Sequence, residues 1–258
     1  MSELISAIII AIIQGITEWI PVSSKGHLIL AEKILGFSGG GLFFDVALHF
    51  GTLMAVFVYF GKDITDILQD FFRGKWGTDN GKIGVYLIIA TIPAGIFGFL
   101  FFDFFKSVFS ELIIAAFGFG ITGLLLIIAS IDFGYRKELG LKESFLIGCA
   151  QIASLIPGIS RSGMTISSGV LLGIEEKKAL RFSFLMSIPI IFGANILVIG
   201  NNRLNSDLIW ATLVSFIVGL LMIHLLYNYV LTTKRNLRWF GIYALLLAFL
   251  IAGYLIFG

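Results

Sequence analysis

Two short polar segments interrupt an otherwise apolar chain, and the first of them carries residues suited to acid–base and nucleophilic chemistry. It runs from residue 14 to 27 and reads QGITEWIPVSSKGH. Gln14 and Glu18 are four residues apart, so on a helix they share one face. Because an ionisable group inside an apolar segment is costly, a functional role for Glu18 is the default interpretation. A structural polar contact between helices is the alternative.

Ser23, Ser24 and His27 lie at the predicted start of a short helix. A serine there caps free backbone N–H groups, and the same helix end attracts anions. A histidine in the first turn can exchange protons near neutral pH. One helical turn could bring the Ser24 hydroxyl and the His27 imidazole together, which favours Ser24 as a nucleophile activated by an adjacent base. Helix capping by the serines and simple hydrogen bonding by His27 stay open.

The second polar segment, PGISRSGMT at 157–165, places an arginine between two apolar half-helices. The planar guanidinium of Arg161 offers a fork of donors suited to phosphate oxygens. Three hydroxyls close by add further donors, those of Ser160, Ser162 and Thr165. The segment is therefore a candidate anion-binding cradle. Alternatively, Arg161 pairs with Glu18 as a structural lock, and the two interpretations are compatible.

Asp45 and His49 form a weaker candidate pair near the start of the first full apolar segment. They are four residues apart and could help to bind a metal. A hydrogen bond between helices explains them as well.

The elements that must position these residues are membrane helices. Apolar residues make up 58% of the 258 residues and charged residues only 13%, against about 25% charged in soluble domains. The formal net charge of +2 gives no basic field for a nucleic-acid partner. A spanning helix needs roughly 20 apolar residues. Six segments qualify: Phe43–Phe60, Gly84–Phe102, Glu111–Ser130, Phe182–Gly200, Asp207–Asn228 and Trp239–Phe257.

Two further apolar regions are each broken by a proline. Ile5–Ile20 stops at Pro21 and resumes near Gly26–Leu35, and Ser144–Ile156 stops before residue 157 and resumes near Met164–Ile174. Each is predicted to be a re-entrant helical hairpin, since irregular backbone at membrane depth is tolerated only where it is buried in protein or lines a cavity.

The distribution of Lys and Arg predicts the orientation of the spans. Lys106 and Arg203 lie on one side of the predicted membrane, with Lys33 close by. Thirteen lie on the other side, which we assign to the cytoplasm: Lys62, Arg73, Lys75, Lys82, Arg136, Lys137, Lys142, Lys177, Lys178, Arg181, Lys234, Arg235 and Arg238. Both termini are then external.

The order hairpin, three spans, hairpin, three spans inverts the second half relative to the first. We therefore predict an all-α polytopic membrane protein with six spans and two re-entrant hairpins, arranged as an inverted-topology repeat. It forms a single transmembrane domain over 1–258, with repeats at about 1–130 and 144–258. Repeats of this kind place a polar site near the midplane.

The motifs also resemble those of a known family. The pattern Gln14-x-x-x-Glu18 followed by PVSSxGH, and PGxSRSGxT at 157–165, resemble the two signatures of the bacterial undecaprenyl-diphosphatase family. The intervening FDVALHFG at 44–51 and RFSFLMSIP at 181–189 are also family-like. The resemblance implies hydrolysis of undecaprenyl diphosphate to the monophosphate, recycling of this cell-wall lipid carrier, and bacitracin resistance. It places key positions at Gln14, Glu18, Ser24, His27, Ser160, Arg161 and Thr165.

The resemblance further implies a divalent cation, Mg²⁺ or Ca²⁺, and a multi-pass location in the bacterial plasma (inner) membrane. Some relatives carry Glu where this chain has Gln14, which leaves Glu18 as the only carboxylate of its segment and the expected metal ligand. Glu18, Ser24, His27 and Arg161 are the expected catalytic residues. Substrate-binding roles are expected for Gln14, Ser23, Ser160, Ser162 and Thr165.

The expected partners are a prenyl diphosphate lipid and membrane lipids, and the sequence leaves a homo-oligomer open. Direct attack by water, oriented by His27 or Glu18, is an alternative to attack by Ser24. A secondary transporter or flippase of a lipid phosphate is the rival function, because inverted repeats with broken helices are typical of transporters. Phosphate release by the purified protein separates the two functions.

Overall fold

The computed structural model describes residues 2–37, 39, 41–132, 134, 136–199 and 206–257. These residues form helices and turns without β-strands. The helices in chain order are α1 Glu3–Thr17, α2 Ser24–Leu35, α3 Leu42–Tyr59, α4 Gly61–Phe72, α5 Asp79–Leu100, α6 Phe102–Val108, α7 Leu112–Ala129, α8 Leu141–Ile152, α9 Arg161–Leu171, α10 Glu176–Ile199, α11 Ser206–Leu225 and α12 Leu237–Phe257.

Within the described ranges, six helices are long and apolar enough to cross a membrane, and they confirm the six predicted spans. They are α3, α5, α7, α10, α11 with the π-helical turn that follows it, and α12. Large apolar side chains on their outer faces are exposed, among them Phe99, Phe117 and Phe249. Exposed apolar surface on this scale would be unfavourable in water and matches contact with lipid tails. The protein is therefore a multi-pass membrane protein.

The two proline-containing regions are broken where the sequence predicts. α1 ends before the turn at Pro21, and α8 ends before a short 3₁₀ turn and Pro157. Ser23 caps α2 by accepting from Gly26 N, which confirms the capping considered for it, and Ser160 caps α9 in the same way by accepting from Gly163 N. The placement of these helix pairs as re-entrant hairpins stays a prediction.

Packing between the helices encloses both turns. α1 packs on α11 and α3, α8 packs on α5, and α10 contacts α3 and α9. α7 contacts both α2 and α9 and lies along α12. Each broken pair thus packs against spanning helices from both halves of the chain, which brings the turns into the interior.

Gly158 lets the second turn lie against α7. Its φ is +85°, and a Cβ built there would lie 2.0 Å from the carbonyl oxygen of Ala115. Thr122 of α7 donates to Gly158 O at 3.0 Å and accepts from Ser160 N at 3.0 Å, so this close approach also fixes the start of α9. The glycine therefore determines where the Arg161 segment sits.

We expect Gly158→Ala to destabilise the folded protein by at least about 3 kcal/mol, since it adds a backbone clash to the strain of a positive φ. Gly36→Ala is the matched control. Gly36 also has a positive φ, +60°, but nothing lies within 4 Å of its Cβ position. The control should cost only about 1 kcal/mol. Thermal unfolding in detergent measures both, and equal losses would show that the contact with α7 is unimportant.

Candidate active site

The carboxylate of Glu18 is the centre of the candidate site, where the two turns meet. Glu18 is only 6% exposed. Its Oε1 accepts from Arg161 Nη2 at 2.6 Å, across 143 residues of sequence. Its Oε2 accepts from Ser24 Oγ at 2.6 Å and from Gln14 Nε2 at 3.1 Å. The structure therefore brings together four of the residues singled out in the sequence, and the Glu18–Arg161 pairing considered there is present.

Ser24 is held in this position by an unusual backbone. Ser23 has φ +70°, the only positive φ at a non-glycine position in the part of the chain that the structure describes. Such conformations persist only where the surroundings over-determine them, and they concentrate at functional sites. The turn directs the Ser24 hydroxyl back to Glu18 and places it at the first residue of α2.

Arg161 reaches the site from the first residue of α9. Its Nη1 donates to the carbonyl oxygen of Ser183 on α10 at 3.3 Å, and its guanidinium lies 5.6 Å from the ring centroid of Trp19. The Arg161 side chain is 12% exposed. These two contacts fix the orientation of the guanidinium. The guanidinium and the Ser24 hydroxyl bind different oxygens of the Glu18 carboxylate.

The hydroxyls of the second turn form a connected group beside Arg161. Ser160 Oγ and Ser162 Oγ are 3.2 Å apart, and Ser162 also donates to the carbonyl oxygen of Ile20 in the first turn. Thr165 Oγ1 lies 2.6 Å from Ser183 Oγ. All four hydroxyl-bearing residues are buried. They line the junction between the two turns, as expected for groups that could bind phosphate oxygens.

His27 is oriented differently from the sequence expectation. Its Nδ1 contacts the carbonyl oxygen of Ser23 at 2.7 Å, and its Nε2 contacts the hydroxyl of Tyr243 on α12 at 2.7 Å. The ring also stacks on Tyr243 and meets Phe119 of α7 edge to face. The partner of Ser24 is therefore Glu18 rather than His27. The ring therefore lies between the N-cap of α2 and α12 rather than beside the Ser24 hydroxyl.

Four residues of the site environment were missed or under-weighted in the sequence. His49 Nε2 of α3 lies 3.3 Å from Glu18 Oε2. Asp45, fully buried, forms an ion pair with Lys25, the residue after Ser24. A polar pair in an apolar helix was the available signal, but the sequence alone did not indicate which surface it faces. Tyr243 and Ser183 gave weaker signals, since both residue types are common in membrane helices.

This arrangement is suited to phosphoryl transfer. A hydroxyl at hydrogen-bond distance from a carboxylate has a proton acceptor in place. An oriented guanidinium and two helix starts provide positive potential for an anion. Both features lie at one buried junction of the described chain.

Comparison with known proteins identifies the family to which this chain belongs. Residues 7–250 match the family model described as bacitracin resistance protein BacA. The undecaprenyl-diphosphatase of Rubrobacter xylanophilus is 39% identical over 273 residues, covering 99% of this chain and 100% of the relative. Undecaprenyl-diphosphatase 1 of Shouchella clausii is 35% identical, covering 96% and 95%. The undecaprenyl-diphosphatase of Colwellia psychrerythraea is 39% identical, covering 93% and 94%. With a match across nearly its whole length, the chain belongs to the family of the bacitracin resistance protein BacA.

Proposed function

We propose that this protein is an undecaprenyl-diphosphatase, which hydrolyses undecaprenyl diphosphate to undecaprenyl phosphate and inorganic phosphate. The observation that carries the proposal is the Ser24–Glu18–Arg161 arrangement, which joins a hydroxyl, its proton acceptor and an anion-binding guanidinium. The names of the relatives agree with this chemistry. Recycling of the lipid carrier and resistance to bacitracin follow from this activity.

In the proposed reaction, Ser24 Oγ attacks the terminal phosphorus of the diphosphate. Its proton passes to Glu18 Oε2, which lies 2.6 Å away. The bond from phosphorus to the bridging oxygen breaks and undecaprenyl phosphate leaves. Water then hydrolyses the phosphoserine and releases inorganic phosphate. Arg161 and the hydroxyls of the second turn neutralise and hold the phosphate oxygens, as phosphoryl transfer requires.

His27 has a supporting role in this proposal. It binds the carbonyl of Ser23 and so supports the backbone that carries Ser24. Gln14 and Ser23 likewise act through position, the first by donating to Glu18 and the second by capping α2. Arg161 and the neighbouring hydroxyls then bind the phosphate oxygens.

A divalent cation, Mg²⁺ or Ca²⁺, fits one edge of this site. Gln14 is fully buried, and its Oε1 has no hydrogen-bond partner. Together with Glu18 it offers oxygen ligands, which both ions prefer, and Mg²⁺ is commonly held by one or two carboxylates plus substrate phosphates. Among the described residues, no group of three or more His, Cys, Asp or Glu is placed to hold a metal. We propose that Gln14 and Glu18 would hold such a cation, which would neutralise charge on the diphosphate.

We further propose that the two halves form an inverted-topology repeat and that the protein lies in the bacterial plasma membrane. Packing between the halves is crosswise, with α1 against α11 and α8 against α5. Such reciprocal pairing is expected if both broken helix pairs enter the membrane from opposite sides. From the Lys and Arg distribution we propose that both termini are external.

This topology predicts the side of each loop. Reporter fusions after Gly77 and Gly140 should read as cytoplasmic, and fusions after Gly40 and Asn202 as external. Gly40, Asn202 and the charged residue Arg203 lie outside the residues that the structure describes. A cytoplasmic signal at Gly40 would contradict the inverted repeat, while swapped signals at all four sites would contradict only the orientation.

A phosphate-release assay on the purified protein in detergent tests the function. Prenyl diphosphates of increasing chain length should each release phosphate, with the undecaprenyl substrate preferred, and a chelator should lower the rate. Glu18→Gln is the matched control, since it keeps the size of the side chain and removes the proton acceptor. Substrate that stays intact under these conditions would overturn the proposal and leave lipid transport as the better account.

A further inference from the structure

The face of α3 that carries Asp45 and His49 contacts the catalytic turn on both sides of its strained residue. On one side, His49 Nε2 lies 3.3 Å from Oε2 of Glu18, and Glu18 is five residues before Ser23. Asp45 forms an ion pair with Lys25, two residues after Ser23. Since the positive φ of Ser23 needs support from its surroundings, these two contacts are placed where that support is required.

The orientation of the His49 ring is fixed by its own helix. Its Nδ1 lies 2.7 Å from the carbonyl oxygen of Asp45 in the preceding turn. This contact directs Nε2 toward the carboxylate of Glu18. The His49 side chain is 22% exposed, against 5% for Glu18, so it lies at the open edge of the site.

Lys25 is restrained in a similar way. Its side chain is 13% exposed and that of Asp45 is 0% exposed. The ammonium group also lies 3.7 Å from the ring centroid of Phe109, in the segment after α6. The first turn of α2 is therefore attached to two neighbouring elements just beyond Ser24.

We infer that Asp45 and His49 form a clamp on α3 that holds the Glu18–Ser24 pair in its reactive geometry, with His49 as a positioning residue that contacts Glu18 through Nε2. Glu18 Oε2 already accepts from Ser24 and Gln14. A third contact restricts the carboxylate further and keeps this oxygen directed at the serine. The inference rests on the proposed phosphatase function, because its measure is the rate at which Ser24 reacts.

Two substitutions at His49 distinguish the contact made by Nε2 from the contact made by Nδ1. His49→Gln places an amide N–H near the position of Nε2, so the contact with Glu18 is retained. His49→Asn places its amide near Nδ1, so the contact with the Asp45 carbonyl is retained and the contact with Glu18 is lost. Both introduced side chains are uncharged amides, which makes them matched in their demands on folding. His224→Asn, on an exposed part of α11, is the control for replacing a histidine in this chain.

The experiment measures kcat and KM for undecaprenyl diphosphate with purified variants in detergent. We expect His49→Asn to lower kcat by about 10- to 100-fold, as for a reacting group displaced by a fraction of an ångström. His49→Gln should stay within about fivefold of wild type, the effect of one weakened hydrogen bond. KM should change little in both, since the lost contact is to Glu18 and not to the lipid. His224→Asn should match wild type.

Equal kcat values for the two His49 variants would overturn the inference, as would a loss confined to KM. If neither variant can be purified, Asp45→Asn tests the clamp from its other contact and should lower kcat in the same direction. An inactive wild-type protein would instead contradict the proposed function, so the two failures are distinguishable.

Discussion

Arg161→Lys is expected to lower turnover by at least ~100-fold, on the order of 3 kcal/mol of transition-state stabilisation. The charge is retained, but the planar fork is lost. In the structure one guanidinium contacts Glu18 at 2.6 Å and the Ser183 carbonyl at 3.3 Å while lying beside Trp19. A lysine ammonium is a single point and cannot keep all three contacts while binding phosphate.

The measurement is kcat for phosphate release, with thermal unfolding in detergent recorded alongside. Unfolding should change little, because the lysine still pairs with Glu18. Arg181→Lys is the matched control, since Arg181 forms an ion pair with Asp63 outside the site. Near-normal activity of Arg161→Lys would show that position 161 provides only a general positive charge.

Ser24→Ala is expected to abolish turnover while leaving binding of the lipid substrate largely intact. Ser24 has the hydroxyl that donates to Glu18 Oε2, and the alanine leaves no nucleophile in that place. If water attacks directly, the same change should only weaken activity, by the ~1–2 kcal/mol of one lost hydrogen bond. The size of the loss therefore decides between the two mechanisms.

Mass spectrometry of acid-quenched wild-type enzyme completes this prediction. A phosphoserine at position 24 is expected during turnover and should be missing from Ser24→Ala. Ser23→Ala is the matched control, because Ser23 caps α2 through its side chain and points its hydroxyl at Gly26 N. A Ser24→Ala rate above about a tenth of wild type would be a loss no larger than that of one hydrogen bond. Ser24 would then be a phosphate ligand and not the nucleophile.

The spans and the two breaks could be predicted from the sequence because they depend on local properties. Hydropathy alone locates a membrane helix, and a proline after an apolar run ends one, as at Pro21 and Pro157. The amphipathic helix α4, Gly61–Phe72, was missed, because four acidic and basic residues lie within its 12 residues and hide its apolar face from a hydropathy window. Its Ile67 is buried against the main core.

The structure brings together residues that the sequence singled out, but of their contacts only the Glu18–Arg161 pair was considered beforehand. Glu18, Ser24 and Arg161 stand out because polar groups in apolar segments are costly. Which of them touch depends on the rotation of each helix about its axis, and that is set by packing of distant segments. His27 therefore faces Tyr243, 216 residues away in sequence, rather than its near neighbour Ser24. His49 reaches Glu18 for the same reason.

The most direct test of the central claim is identification of the products formed from undecaprenyl diphosphate by the purified protein. Wild type should yield undecaprenyl phosphate and inorganic phosphate in equal amounts, and Glu18→Gln, which removes the acceptor for the Ser24 proton, should yield almost none. Release of pyrophosphate with a prenyl alcohol would contradict attack at the terminal phosphorus. Unchanged product yield in Glu18→Gln would contradict a reaction centred on the Ser24–Glu18–Arg161 arrangement.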